Sequence, residues 1–351
     1  MITTKRCAED RLRVLSTARL DGPALDELRG VAQLDLAGNA LGRPAIGAAE
    51  LATMVPGYDV LLVETEPVTD AVLRANPELM AVGCCRGDPV NVDCDAAADL
   101  AIPVLYAPGR NADATADFAF GLLICQVRNI ARTHHMLMSG ELTVPHADRE
   151  NRPRRDTIWK FPDGTITGRQ YGGPELRDLL LGLVGCGRVG RAVAKRADAF
   201  GMAVIGHDPY LSAAPDGIPL QPLDTLLARA DIVSIHCKLT PESEGLIGRA
   251  EIARMKPGAI LINTARARIV DEGALLEALQ ERRLGGAGLD VFHEEPLPDD
   301  SPFLRLENVT LTPHLAGASS SVVRRHSDMV LGDILRLNRG ETPLYEYKRP
   351  A

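Results

Sequence analysis

Short, fully apolar segments recur along the chain and alternate with longer stretches in which apolar residues have helical spacing. The apolar segments cover residues 13–16, 59–63, 79–83, 103–106, 179–184, 203–207, 231–236, 259–263, 286–291 and 309–312. Continuous apolar runs of this length are typical of strands that are buried on both faces of a parallel sheet. We therefore predict an α/β protein with two doubly wound parallel-sheet units.

Two long stretches of helical composition, residues 112–139 and 318–339, suggest how the units are connected. The first suits a helix that leaves one domain and enters the next, and the second suits a helix that returns to the first domain. We predict one domain at residues 1–112 and 318–351 and a second at 113–317. Residues 141–175 are rich in proline, glycine and basic side chains and predict an irregular arm, either a solvated loop, a subunit contact or an anion-steering patch.

Composition narrows the class of protein. The 351 residues include 39 basic and 47 acidic side chains, a net charge of −8 that disfavours nucleic acid or an anionic membrane as partner. No run reaches the roughly 18 apolar residues that cross a bilayer, and the polar first residues do not resemble a secretory signal. Seven cysteines without a Cys-x-x-Cys pair argue against a disulfide scaffold and a structural zinc site. We expect a cytoplasmic protein without a metal.

A glycine-rich turn predicts the cofactor site. Gly185, Gly187 and Gly190 follow the apolar run 179–184 and begin a helical stretch. These glycines allow a tight turn, close approach of a pyrophosphate and close packing of helix on strand, while the helix N-terminus binds the phosphates. Asp208 follows the next strand, where a carboxylate accepts hydrogen bonds from ribose hydroxyls and repels a 2′-phosphate. The predicted cofactor is NAD rather than NADP.

Three later strands each end near an ionisable residue: Arg266, Glu295 and His314. Because ligands of open α/β sheets bind at the carboxyl ends of the strands, these side chains are candidates for one active site. Glu294 and His293 lie close to Glu295 in the sequence and are alternative candidates for the carboxylate and the imidazole of this site.

Ordered motifs over most of the chain resemble the D-isomer-specific 2-hydroxyacid dehydrogenase family, in particular its phosphoglycerate dehydrogenase-like members. The matching segments are GRNADATADFAFGLLI (109–124), LVGCGRVGR (183–191), INTARARIVDEGAL (262–275), GAGLDVFHEEP (286–296) and TPHLAGAS (312–319). The resemblance implies a Rossmann NAD-binding domain, a flavodoxin-like substrate domain, an active site between them and a homodimer.

The same resemblance implies the reaction, a hydride transfer between nicotinamide and C2 of a D-2-hydroxy acid or 2-keto acid. Arg266 matches the family's substrate-binding arginine, whose planar fork holds a carboxylate and polarises the C2 oxygen. His314 matches the residue that gives or removes a proton at that oxygen. Glu295 matches its carboxylate partner, which orients the ring and favours its protonated form.

The family motifs also imply further contacts. The cofactor contacts are Gly185, Gly187, Arg188, Val189, Gly190, Asp208, Cys237, Thr264, Ala265, Arg266, Asp290, His314 and Gly317. The substrate contacts are Arg86, Gly87, Asp88, Asn111 and Arg266. Cys186 and Cys237 are interpreted as packing residues and not as nucleophiles.

The sequence leaves alternatives open both for the identity of the 2-hydroxy acid and for the class of activity. Glu64 and Glu66, which follow the run 59–63, would repel a phosphate, and the chain ends soon after its last helix without a predicted regulatory domain. Arg86 or the basic arm could nevertheless accommodate an anion. A second hypothesis is that the protein is a formate dehydrogenase, although that enzyme usually has glutamine at the position of Glu295. An NAD-sensing corepressor on the same fold is a third.

Overall fold

The chain divides into two compact units. The computed structural model describes residues 11–144, 159, 161 and 164–348. One unit consists of residues 1–111 with 319–351, and the other of residues 112–318. About half of the predicted basic arm lies outside the described residues, including Arg149, Arg152, Arg154, Arg155 and Lys160.

The first unit is built on a five-stranded parallel sheet. Its strands are β1 (Leu12–Ser16), β2 (Ala32–Leu36), β3 (Val60–Val63), β4 (Ala81–Cys84) and β5 (Val104–Tyr106). Its helices are α1 (Pro23–Val31), α2 (Ala48–Met54), α3 (Asp70–Arg74), α4 (Cys94–Asp99) and the last helix of the chain, α12 (Ser320–Asn338). The strand order β2-β1-β3-β4-β5 is the flavodoxin-like order, and it reverses direction between β1 and β3.

Both faces of this sheet are covered, which explains its uninterrupted apolar strands. Along β3, Val60 and Leu62 pack with residues of α1 and α12, whereas Leu61 and Val63 pack with residues of α2, α3 and α4. Successive side chains of a strand point to opposite faces, so a strand between two helical layers needs apolar residues at every position.

Strand β2 was not predicted from the sequence. It pairs only with β1, at the edge of the sheet, and it is mostly accessible to solvent, with Ala32 buried, Gln33 and Leu36 exposed and the two residues between them half-buried. An edge strand of this kind lacks the continuous apolar run that identified its neighbours.

The opposite edge of the first sheet is covered by the segment after α12. Tyr106 donates its backbone N–H to the carbonyl of Tyr345, and Tyr347 donates to the carbonyl of Val104. Asp333 on α12, which is almost fully buried, accepts the backbone N–H groups of Leu344 and Tyr345 at 2.8 and 2.6 Å. The segment 344–347 therefore lies along β5 as a short antiparallel partner.

The second unit contains a six-stranded parallel sheet. Its strands are β6 (Leu180–Val184), β7 (Ala203–His207), β8 (Ile232–Ile235), β9 (Ile260–Asn263), β10 (Gly286–Leu289) and β11 (Val309–Leu311), in the order β11-β10-β9-β8-β6-β7. Its helices are α5 (Ala112–Val127), α6 (Ile130–Met138), α7 (Thr167–Tyr171), α8 (Arg188–Ala199), α9 (Leu223–Arg229), α10 (Arg249–Arg254) and α11 (Glu272–Gln280).

Two apolar cores cover the two faces of the second sheet. Leu181 and Leu183 pack with residues of α5 and α8, and Val233 and Ile235 pack with residues of α9, α10 and α11. The strand order reverses between β6 and β8, which is where dinucleotides bind in folds of this type. The prediction of two doubly wound parallel-sheet units is therefore confirmed.

The prediction of one continuous helix over residues 112–139 is wrong. Helix α5 ends at Val127, and α6 begins at Ile130 after Asn129, which has a left-handed backbone with φ 54°. Asn129 donates its side-chain amide to the carbonyl of Tyr171, and Arg128 donates to the carbonyl of Gly172. Asparagine tolerates the left-handed conformation better than most residues, so it can end the helix here.

Candidate active site

The glycine turn after β6 has the geometry of a phosphate-binding loop. Gly185 has φ 96°, and a Cβ atom at this position would lie 2.5 Å from the backbone nitrogen of Cys237, at the end of β8. Gly190 packs directly on the carbonyl oxygen of Gly185, which leaves no room for a side chain. Gly187 is exposed, with open space where its Cβ atom would be. The backbone at Gly187, just before α8, is thus open to a ligand.

Asp208 lies directly after β7 and is bonded to this loop. One carboxylate oxygen accepts the backbone N–H of Cys186 at 2.9 Å, and the other accepts that of Tyr210 at 3.1 Å. Each oxygen keeps a second lone pair, so the carboxylate can still accept hydrogen bonds from two hydroxyl groups. This arrangement fits the ribose of an adenine dinucleotide.

Two buried polar atoms near the strand ends have no hydrogen-bond partner among the described residues: Thr264 Oγ1 after β9 and His236 Nδ1 after β8. Burial lowers the pKa of His236 to about 4, so its ring is neutral at ordinary pH. Thr264 was predicted as a cofactor contact, whereas His236 was not. Unpaired buried polar atoms are costly, and a ligand that bonds to them removes that cost.

The remaining predicted cofactor contacts are distributed around the same strand ends. Arg188 is exposed, and Val189, Ala265, Cys237 and Gly317 are half-buried. Burial raises the pKa of the thiols of Cys186 and Cys237 to about 11, so neither is a thiolate at neutral pH. Within the residues that the structure describes, no group of three or more His, Cys, Asp or Glu side chains is placed to hold a metal ion.

His314 and Glu295 form a direct pair. The ring Nδ1 of His314 lies 2.6 Å from Glu295 Oε2, and Glu295 Oε1 accepts the backbone N–H of Phe292 at 3.0 Å. Partial burial opposes ionisation of Glu295, but the bonds from His314 and Phe292 and the charges of His314 and Arg266 keep its pKa below the usual value. The carboxylate therefore stays ionised beside the ring. Since Nδ1 is bonded to it, Nε2 is the atom that can exchange a proton with a ligand.

The two adjacent alternatives do not form such a pair. His293 is exposed, and its Nε2 lies 3.2 Å from the carbonyl oxygen of Val270. Glu294 is also exposed, and the His314 ring bonds to Glu295 instead.

Asp290 at the end of β10 holds the His314 loop. Its carboxylate is fully buried and accepts hydrogen bonds from Thr312 Oγ1 and from the backbone N–H groups of Leu315 and Ala316. His314 itself has φ 53° and donates its backbone N–H to the carbonyl of Asp290. Asp290 was predicted as a cofactor contact. Its bonds to this loop also hold His314 in position, and the cofactor contact of Asp290 stays a prediction.

Arg266 lies in a turn that Asn263 holds in place. The Asn263 side chain accepts the backbone N–H of Ala265 and donates to the carbonyl of Arg266, both at 3.0 Å. Asn263 was not among the predicted site residues. The Arg266 side chain is exposed, and its charge acts on Glu295. The second unit thus brings an arginine, a carboxylate and a histidine together at the ends of β9, β10 and β11.

The predicted substrate contacts Arg86, Gly87, Asp88 and Asn111 belong to the first unit. The carbonyl of Arg86 accepts the backbone N–H of Ala107 at 2.8 Å. The loops after β4 and β5 are therefore adjacent at the carboxyl edge of the first sheet.

The chain is similar to several known proteins. The family described as "D-isomer specific 2-hydroxyacid dehydrogenase, NAD binding domain" matches residues 120–316. A glyoxylate reductase from Korarchaeum cryptofilum is 36% identical over 282 residues, which are 80% of this chain and 79% of that protein. A D-3-phosphoglycerate dehydrogenase from Methanocaldococcus jannaschii is 34% identical over 94% of this chain, but only 58% of that protein is covered. The crystal structure of the TT0316 protein from Thermus thermophilus superposes with a TM-score of 0.77 at 34% identity, covering 96% of this chain and 100% of that one.

Proposed function

Because the chain belongs to the D-isomer specific 2-hydroxyacid dehydrogenase family, we propose that it is an NAD-dependent oxidoreductase that interconverts 2-keto acids and D-2-hydroxy acids. The observation that carries this proposal is the 2.6 Å pair of His314 and Glu295, with Arg266 close enough for its charge to act on Glu295. A proton donor and a carboxylate-binding cation together are what reduction of a 2-keto acid requires.

Each side chain has a separate task in this reaction. The guanidinium of Arg266 binds the substrate carboxylate and polarises the C2 oxygen. During reduction His314 gives a proton from Nε2 to that oxygen, and during oxidation it removes the proton from the C2 hydroxyl. Glu295 holds Nδ1 and stabilises the ring while it is protonated. Bound NAD accepts or supplies the hydride.

The first unit contributes to substrate binding in this proposal. The backbone N–H groups of the loop that contains Arg86, Gly87 and Asp88 bind the substrate carboxylate, and Asn111 supplies a further polar contact. What supports these roles is their position at the carboxyl edge of the first sheet, where ligands of open parallel sheets bind.

The proposal is tested by measuring NADH oxidation with a panel of 2-keto acids, including glyoxylate, pyruvate and hydroxypyruvate, and NAD reduction with formate. Turnover of one or more 2-keto acids, with the D-isomer as product, is the expected result. Turnover of formate alone would instead indicate a formate dehydrogenase. NADH binding without turnover of any acid would favour an NAD-sensing binding protein.

Glu295→Gln is expected to change the pH dependence of ketoacid reduction. Reduction requires protonated His314, so the rate falls as the pH rises and the ring loses its proton. Because glutamine keeps the shape but removes the charge that stabilises the protonated ring, this fall should occur at lower pH in the variant. The measurement is kcat and kcat/KM against pH with chemistry rate-limiting. Glu294→Gln is the matched control, and a shift in that variant alone would assign the partner role to Glu294.

Asp208→Asn is expected to reduce the preference for NADH over NADPH. Asparagine keeps one oxygen that can accept from the loop, but it no longer repels a 2′-phosphate. The ratio of kcat/KM values for NADH and NADPH should fall by about tenfold, as expected for removal of one like-charge contact of about 1.4 kcal/mol. Asp198→Asn, an exposed change in α8, should leave the ratio unchanged. Equal efficiency with both cofactors in the unmodified protein would contradict the role of Asp208.

The proposed setting is a homodimer in the cytoplasm. What supports a dimer is α6, which has no buried residue and exposes Ile130, Leu137 and Met138. What supports a reducing compartment is the state of the six described cysteines, all of which are free thiols. Across the described part of the chain, no helix has the length and apolar character needed to cross a membrane.

A further inference from the structure

A second group of charged side chains lies at the carboxyl edge of the first sheet. Glu64 directly follows β3, next to the point between β1 and β3 where the strand order reverses. Arg110 lies in the loop after β5, and His326 lies on α12. Ligands of open parallel sheets bind outside the carboxyl ends of the strands at this reversal point, so the chemistry of these residues bears on what the first unit can bind.

Arg110 and Glu64 form a largely buried ion pair. Arg110 Nη1 donates to Glu64 Oε1 at 2.8 Å, and the two side chains are 15% and 13% exposed. Each side chain keeps a small exposed part, which a ligand at the sheet edge can contact. Since each charge neutralises the other, the pair as a whole offers no net positive charge to an anion.

His326 fixes the orientation of Arg110. Its Nε2 lies 2.7 Å from the carbonyl oxygen of Arg19, which can only accept, so Nε2 carries the proton. Its Nδ1 is then unprotonated and accepts from Arg110 Nη1 at 2.6 Å. Burial, and the charges of Arg110 and Arg19 against that of Glu64, lower the pKa of His326, so the ring is neutral. The guanidinium is thus held between a carboxylate and an uncharged imidazole.

Two further acidic residues, Glu66 and Asp88, lie at this edge of the sheet. Glu66, fully buried, accepts the backbone N–H groups of Glu64 and Thr65, which puts a second carboxyl group beside the pair. Asp88 lies two residues from Arg86 in the adjacent loop. A phosphate or a second carboxylate at this edge would compete with Glu64 for Arg110 and would lie close to a like charge, which is costly in a partly desolvated site. An uncharged hydroxyl or methyl group neither competes with Glu64 for Arg110 nor is repelled by a carboxylate.

We propose that the Glu64–Arg110 pair determines substrate specificity by admitting 2-keto acids whose group distal to the carboxylate is uncharged and excluding those with a second carboxylate or a phosphate. This inference rests on the proposed function, because it specifies the substrate class of the same reaction.

The test compares the parent with Glu64→Gln. Glutamine keeps an oxygen that can accept from Arg110, but it no longer neutralises the positive charge of Arg110. Glu78→Gln is the matched control, since it makes the same change in net charge on an exposed residue that precedes the amino end of β4. The double variant Glu64→Gln/Arg110→Met also removes the guanidinium, so that no unneutralised positive charge remains at this position. Two quantities are measured: kcat/KM with NADH for oxaloacetate and for 2-ketobutyrate, which differ by a carboxylate in place of a methyl group, and binding of inorganic phosphate by calorimetry to the protein saturated with NADH, so that the glycine turn is already occupied.

The parent and Glu78→Gln should prefer 2-ketobutyrate and should not bind phosphate. In Glu64→Gln the relative efficiency with oxaloacetate should rise by about tenfold or more, as expected for one hydrogen bond between an anion and a free guanidinium, and phosphate should bind. Both gains should disappear in the double variant. A parent that prefers oxaloacetate, or a Glu64→Gln variant whose phosphate affinity equals that of the parent, overturns the inference. Absence of turnover with every 2-keto acid contradicts the proposed function instead, while the phosphate titration still decides the role of the pair.

Discussion

His314→Ala should lower kcat for 2-keto acid reduction by about 10²–10⁴-fold, the usual loss when a general acid is removed. In the proposed reaction the ring donates through Nε2, and among the described residues no other histidine is paired with a carboxylate. The affinity for NADH should change little, because the glycine turn and Asp208 lie on other loops of the sheet. Steady-state rates and fluorescence titration with NADH measure the two effects separately.

His293→Ala is the control for this experiment. It removes an exposed imidazole from the segment that carries Glu295, and kcat should stay within about twofold of the parent, as for most surface changes away from a site. A large loss in His293→Ala with a small loss in His314→Ala would transfer the proton-donor role to His293.

Arg266→Lys should lower kcat/KM for the 2-keto acid by about 10–100-fold, since an ammonium group cannot reproduce the two parallel hydrogen bonds of a guanidinium to a carboxylate. The loss should arise mainly from a higher KM if the second bond is present in the ground state, and from a lower kcat if it forms only in the transition state. NADH binding should remain close to that of the parent. Initial rates over a range of ketoacid concentrations at saturating NADH distinguish the two cases.

Arg268→Lys provides the comparison for Arg266. Arg268 is exposed two residues further along and forms an ion pair with Glu244 at 3.2 Å, so the same substitution there should leave kcat/KM nearly unchanged. Equal losses in both variants would mean that the loop responds to any change and that Arg266 does not bind substrate specifically.

The central strands could be predicted from the sequence because burial on both faces imposes a continuous apolar pattern. This holds for β3, whose four residues are all fully buried. It fails for β2, where only one neighbour and partial exposure relax the pattern. The break at Asn129 also escaped prediction, because helical composition continues on both sides and the bonds that stabilise the break come from residues 171 and 172.

The types of residue in the site could be predicted, but some of their tasks could not. Spacing alone could not choose between Glu294 and Glu295, since the path of the backbone after β10 decides which carboxylate bonds to His314. The supporting roles of Asn263 and Asp290 required the structure, although both stand at strand ends, where such side chains often bond to nearby backbone groups.

The antiparallel segment that lies along β5 has a consequence for how this protein behaves in concentrated solution. An uncovered edge strand can recruit the strand of another molecule, which begins aggregation or domain swapping. Here Tyr345 and Tyr347 occupy the hydrogen-bonding groups of that edge, and Asp333 ties the segment to α12. By bonding to these groups, the segment prevents the strand of another molecule from pairing with β5. We therefore expect the colloidal stability of the protein to depend on a few residues that lie outside the candidate active site.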